Sequence, residues 1–125
     1  MFYRGEKMFL SAFEMKYNTK SIKRLPKINN SDKWLIIDIR PKEEWIESHI
    51  INSINIPHHL FRLIYSKKVT KNKKILFVSS AGHSHLDLYR LLKKHNFKVF
   101  ILLGGWKKVH QTDELDKILT YNLID

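Results

Sequence analysis

The 125-residue chain contains no cysteine. It therefore cannot form disulfides, thiolate metal sites, a thiol nucleophile or a persulfide carrier by itself. Proline and glycine are also sparse, at 3 and 4 residues, so no collagen-like or low-complexity segment is present. No stretch approaches the about 18 uncharged apolar residues of a membrane-spanning helix. Arg4, Glu6, Lys7 and Glu14 interrupt the first apolar residues, so no signal-peptide core is read there and a cytoplasmic location is expected. Acidic residues are few, 12 against 23 Lys and Arg, for a formal charge of +11.

What is present suits one compact core. The length fits a single domain, and 43% hydrophobic residues with 12% aromatics supply apolar area without a structural metal. The lysines thicken in YSKKVTKNKK, residues 65–74, with pairs at Lys93, Lys94 and Lys107, Lys108. No aromatic residue interleaves with them between Lys67 and Lys74, so no base-stacking platform is indicated. The clusters read as solvated surface, and nucleic acid is not an expected partner.

Residues 1–18 are expected to be an N-terminal extension, partly disordered, and 19–125 a single domain. A loose helical stripe runs through Phe2, Met8, Phe9, Ala12, Phe13 and Met15, and the methionines at 1, 8 and 15 offer alternative starts. Pro26 prevents a long helix in SIKRLPKI, where a short strand or turn is expected. WLIIDI (34–39) is a β-branched apolar run of the kind buried on both faces of a parallel sheet. Pro41 can open a helical turn with Glu43 and Glu44 near its positive end. Further strands are predicted at INI (54–56), ILFV (75–78) and KVFILL (98–103), and helices over HHLFRLIYS and after Leu86. Asn96 is expected in the left-handed position that ends the second of these helices. A last helix is expected in TDELDKILTY, capped by Thr112 or Asp113. Alternating strands and helices predict a three-layer α/β domain, its mostly parallel sheet having about five strands with helices on both faces.

In such a sheet, loops at the carboxyl ends of the strands gather at one edge, where ligands bind. Three loops qualify here: DIRPKEEW, NIPHH and SSAGHSH. Together, LIIDIRPKEEWIESHIINSINIP and ILFVSSAGHSHLDLYRLLKKHNFKVFILLGGW resemble the rhodanese-like family. The first is similar to its D-x-R, E-E-[FW] and G-H-I-x-G-A-x-N-I-P run, and the second to its strand, active loop, helix and closing G-G-W. The resemblance implies that Asp38 and Arg40 brace the active-loop side of the sheet, with Glu44 and His49 in the supporting network. Family sulfurtransferases carry a loop resembling C-x-x-G-x-R. Here Ser79 stands at the cysteine position, Gly82 matches, and Ser84 replaces the arginine. Ser48 stands where the family has glycine, and Asn52 and Ser53 replace a Gly-Ala pair.

A serine hydroxyl cannot store sulfane sulfur as a thiolate does, and without the arginine no guanidinium fork grips an oxyanion. No catalytic residue is therefore assigned. The loop Ser79, Ser80, Ala81, Gly82, His83, Ser84 and His85 is expected to be an anion pocket, its amides aided by a helix beginning near Ser84. Two sharper readings attach to these residues. Ser79 as nucleophile would need His83 or His85 as base and Asp38 behind it, but the G-x-S-x-G elbow is lacking. Metal binding by His83, His85, His58 and His59 lacks an acidic pair to complete it, so neither metal nor cofactor is expected. An engineered Cys→Ser change would leave Ser80, Ala81, Ser84 and His85 unexplained, which favours natural divergence. The expected function is a catalytically degenerate anion- or protein-binding, regulatory module. The alternative is a sulfur-relay role using an external thiol.

Overall fold

The computed structural model describes residues 10–122. Its central sheet has five parallel strands in the order β1-β6-β5-β2-β4. These are β1 (Thr19–Lys20), β2 (Trp34–Asp38), β4 (Ile54–Asn55), β5 (Lys74–Val78) and β6 (Val99–Leu102). A separate antiparallel ribbon pairs β3 (Ser48–Ile50) with β7 (Leu119–Tyr121).

Because side chains alternate across a strand, each strand feeds two cores. Ile37, Ile75, Phe77, Val99 and Ile101 face one side. There they meet Phe61 of α4 (Phe61–Lys68) and Leu88, Tyr89 and Leu92 of α5 (Leu86–Lys94). Ile36, Leu76, Val78 and Leu102 face the other, against Leu25 and Ile28 of α2 (Leu25–Asn29) and Val109 of α6 (Gly105–His110). This double burial makes the strands continuous apolar runs. The three-layer arrangement and five-stranded sheet agree with the sequence reading.

The ends of the elements follow local chemistry. Pro41 precedes α3 (Lys42–Glu47), with Glu43 and Glu44 in its first turn. Asn96 closes α5 in the left-handed region, φ 67°. Ser11 and Glu14 form a reciprocal capping box on α1 (Ala12–Lys16). The expected stripe residues Phe2, Met8 and Phe9 lie outside the described residues. Tyr17 and Asn18 dock on α5: Tyr17 is buried against Tyr89 edge-to-face, and the Asn18 N–H donates to the Tyr89 hydroxyl.

The structure sharpens three expectations. Of the strand or turn expected in SIKRLPKI, the turn is present as a 3-10 turn (Ile22–Arg24), and it leads into α2, since Pro26 in the first turn loses no helical hydrogen bond. The tail is a 3-10 helix (Asp113–Ile118) running into β7 rather than an α-helix through Tyr121; Thr112 stands at its N-cap as expected but makes no side-chain cap. Thr112 instead donates its hydroxyl to the Lys108 carbonyl at 2.7 Å. Finally, α5 begins at Leu86 rather than near Ser84, because His85 adopts a left-handed conformation, φ 56°. Among the described residues, no helix is long and apolar enough to cross a membrane.

Candidate functional site

The carboxyl ends of β2, β4, β5 and β6 bring the brace and the 79–85 loop to one edge of the sheet. Asp38 ends β2 and is fully buried, and Arg40 is 3% exposed. The guanidinium grips the carboxylate by two nitrogens: Nε donates to Oδ1 at 3.0 Å and Nη2 to Oδ2 at 2.9 Å. The Arg40 backbone N–H also donates to Oδ1, at 3.0 Å. Burial pushes the Asp38 carboxyl above its ordinary value of 3.8, and the hydrogen bonds and charge of Arg40 pull it back.

The remaining contacts of Arg40 spread the brace. Nη2 donates to the Ser48 carbonyl at 2.7 Å, tying β2 to β3. Glu44 stands at the rim, 51% exposed and 3.9 Å from Nη1. His49 stacks on Trp45 at 3.8 Å, and its Nδ1 lies 2.6 Å from the Trp45 carbonyl. Asn55, which sequence reasoning left unassigned inside the N-I-P motif, donates through Nδ2 to the carbonyls of Asp38 and Arg40 at 2.9 and 3.0 Å.

The loop itself is held by backbone. The Trp106 N–H donates to the Ser79 carbonyl at 2.8 Å and the Lys107 N–H to the Ser80 carbonyl at 2.9 Å. Gly105, φ 58°, allows this approach: a Cβ there would lie 2.4 Å from the Ser79 oxygen and 2.5 Å from the Gly82 nitrogen. Trp106 was visible in the sequence only as the end of a G-G-W motif. In the fold it lies beneath Arg40 and joins brace to loop.

Ser79 is 5% exposed, and its Oγ accepts the Gly82 N–H at 2.9 Å. Among the described residues no histidine hydrogen-bonds to Ser79, and Asp38 is committed to Arg40, so the elements of a hydrolytic triad are not joined. His83 and His85 are exposed. His58 and His85 do converge, their rings stacked at 3.8 Å, with His59 edge-on to His58 at 5.6 Å. The His58 Nδ1 is buried without a partner. Desolvation, then the charge of His58, lower the His85 pKa from its ordinary 6.5. No three His, Asp or Glu side chains among the described residues are arranged to hold a metal ion.

Comparisons with known proteins agree with this geometry. The family model described as "Rhodanese-like domain" matches residues 21–112. A curated relative, a probable molybdopterin-synthase adenylyltransferase from Porphyra purpurea, is 32% identical over 90 residues. That match covers 69% of this chain but only 24% of the relative's length. The crystal structure of a rhodanese-related protein from Thermoplasma volcanium superposes with a TM-score of 0.66 at 23% identity, covering 76% of this chain and 93% of that one. An NAD-dependent persulfide reductase from A. fulgidus is similar over 74% of this chain and 16% of its own, at 29% identity and a TM-score of 0.58. With the family match spanning most of the sequence, and serine where the sulfur-carrying cysteine would stand, the chain belongs to the rhodanese-like domain family and lacks its persulfide-forming residue.

Proposed function

We propose that this domain is a non-catalytic module that binds a small anion or a protein partner through the 79–85 loop, braced by Asp38, Arg40, Glu44 and His49. The observation supporting this reading is the hydrogen bond from the Gly82 amide to the Ser79 hydroxyl. A neutral hydroxyl occupies the donor cradle, where it can neither ionise near neutral pH nor receive sulfane sulfur. The loop keeps a built backbone and an exposed rim of Ser80, His83 and His85. Such a rim can be read by a partner or an ion through amides and imidazoles without chemistry. The cytoplasmic location expected from the sequence is kept as part of this proposal.

The test is amide NMR during titration of the full chain with sulfate, thiosulfate or phosphate. Saturable shifts at Gly82 and His83 are the expected result, and their absence rejects an anion pocket. A thiosulfate:cyanide assay accompanies it. Turnover by the wild type that Ser79→Ala abolishes would overturn the non-catalytic reading. A second reading is favoured by the likeness to the persulfide reductase from A. fulgidus. In it, the domain serves a sulfur relay in which another chain supplies the thiol.

A further inference from the structure

A second site lies away from the 79–85 loop, where β2 and β5 begin. Trp34 and Lys74 open these strands and face each other in register. With Lys20, Arg24, Lys27 and Ser31 they line a cavity of about 310 Å³, at the small end of the range for ligand pockets. Four cations thus come from four elements: β1, the 3-10 turn, α2 and β5. No carboxylate lines the cavity. Among the described residues, the ion pairs join Arg40 to Asp38 and Glu44, and Arg62 to Asp87, so none of the four cations is neutralised in this way.

Two of these ammonium groups are held in place by aromatic faces. The Lys20 Nζ lies 5.8 Å from the Trp34 ring centroid and 5.0 Å from that of Phe100, and the Lys74 Nζ lies 5.5 Å from Trp34. Uncompensated like charges repel one another, and a multivalent anion between them would relieve that repulsion. Because Trp34 already carries two ammonium groups, the arrangement suits phosphoryl oxygens better than a stacked base. Arg24 adds a planar fork suited to phosphate.

We propose that this cavity binds a diphosphate-type polyanion. The proposal is independent of the anion reading of the 79–85 loop. The five residues of β5 put Lys74 about 17 Å from Ser79, roughly two Debye lengths at physiological salt. Shifts at the Trp34 indole and at Lys74 therefore report on the cavity alone, whereas the Lys20 backbone, whose carbonyl accepts the Leu103 N–H beside Gly104, lies next to the loop and reports on neither place by itself.

The experiment is amide and indole NMR of the full chain titrated with inorganic diphosphate, and with inorganic phosphate at matched ionic strength. Saturable shifts are expected at the Trp34 indole N–H and at Lys27 and Lys74, with diphosphate binding more tightly than phosphate. Lys20→Gln and Lys74→Gln are each expected to weaken binding by about tenfold. The double variant Lys93→Gln/Lys94→Gln, which removes two exposed charges on α5, should leave the affinity within about twofold, as distant exposed charges are screened. Equal weakening by the α5 variant, or non-saturable shifts spread over all lysines, would reduce the effect to net charge and overturn the proposal. Shifts confined to Gly82 and His83 would overturn it while leaving the loop reading intact.

Discussion

The guanidinium of Arg40 lies over the indole of Trp106, its Cζ 4.3 Å from the ring centroid. Through this contact the charge that neutralises Asp38 also seats the residue whose N–H holds the Ser79 carbonyl. Asp38→Asn leaves a buried guanidinium facing a neutral amide. Stability is expected to fall by about 3–5 kcal/mol, the usual cost of removing one partner of a buried pair. Urea denaturation measures it. A loss under about 1 kcal/mol would show that Arg40 finds other compensation, within the range of an exposed pair.

The two glycines before Trp106 should disturb different elements when replaced by alanine. Both have positive φ, 81° at Gly104 and 58° at Gly105. At Gly104 the added Cβ meets Lys108 at its Cδ, 2.6 Å, and its Cβ, 2.7 Å; the Cδ can swing away but the Cβ moves only with α6, so the cost exceeds the about 1–2 kcal/mol of the left-handed backbone while the nearest clash stays on α6. At Gly105 it meets the Ser79 oxygen and Gly82 nitrogen, which are main chain. Gly105→Ala should therefore cost about 2–5 kcal/mol and shift the loop amides in NMR spectra. Loop amides left unshifted by Gly105→Ala would contradict the close loop packing.

Ser79→Cys tests whether the rest of the cradle survives. The variant places a thiol against the Gly82 amide, which favours its thiolate. Intact-mass analysis after incubation with a sulfur donor should find one added sulfur atom on the variant and none on the wild type. Turnover of thiosulfate should remain low with Ser84 at the arginine position, and Ser84→Arg added to Ser79→Cys should raise it about tenfold or more through charge-assisted hydrogen bonds. Ser79→Ala removes the acceptor from the buried Gly82 N–H and should cost about 1–3 kcal/mol. A sulfur adduct on the wild-type chain would end the non-catalytic assignment.

The central strands were legible in the sequence because burial on both faces turns them into apolar runs, as in WLIID and KILFV. Asp38 and Arg40 were legible through the D-x-R motif of the family resemblance, and at the strand end the two side chains reach each other locally. The β3–β7 ribbon was not, since Ser48 pairs with Tyr121 across most of the chain and neither segment carries an alternating pattern of its own. The roles of Trp106 and Asn55 were hidden for the same reason: their partners are distant in sequence. His85 was hidden for another reason. Its left-handed backbone is uncommon for a residue with a Cβ, and nothing in SSAGHSH marks it over His83. The His58–His85 stack depends on that turn.

That stack gives the domain a pH response whose sign follows from His85. Its pKa in the folded chain is lowered from 6.5, so below 6.5 the unfolded chain binds more protons than the folded one. Stability is therefore full above pH 6.5, falls as the pH drops through 6.5, and levels below the folded value. Asp38 acts in a different direction and window. Its raised pKa makes the folded chain the better proton binder above 3.8, so this contribution weakens as the pH climbs from 3.8 through the folded value. The two are separated by following the His85 ring protons in NMR, where the wild-type midpoint should lie below 6.5. His58→Gln removes the neighbouring imidazole and its charge, and should move the midpoint back toward 6.5. It should also flatten the fall in stability on that side. An unchanged midpoint in the variant would mean that desolvation alone depresses His85 and that stacking on His58 contributes nothing to the titration.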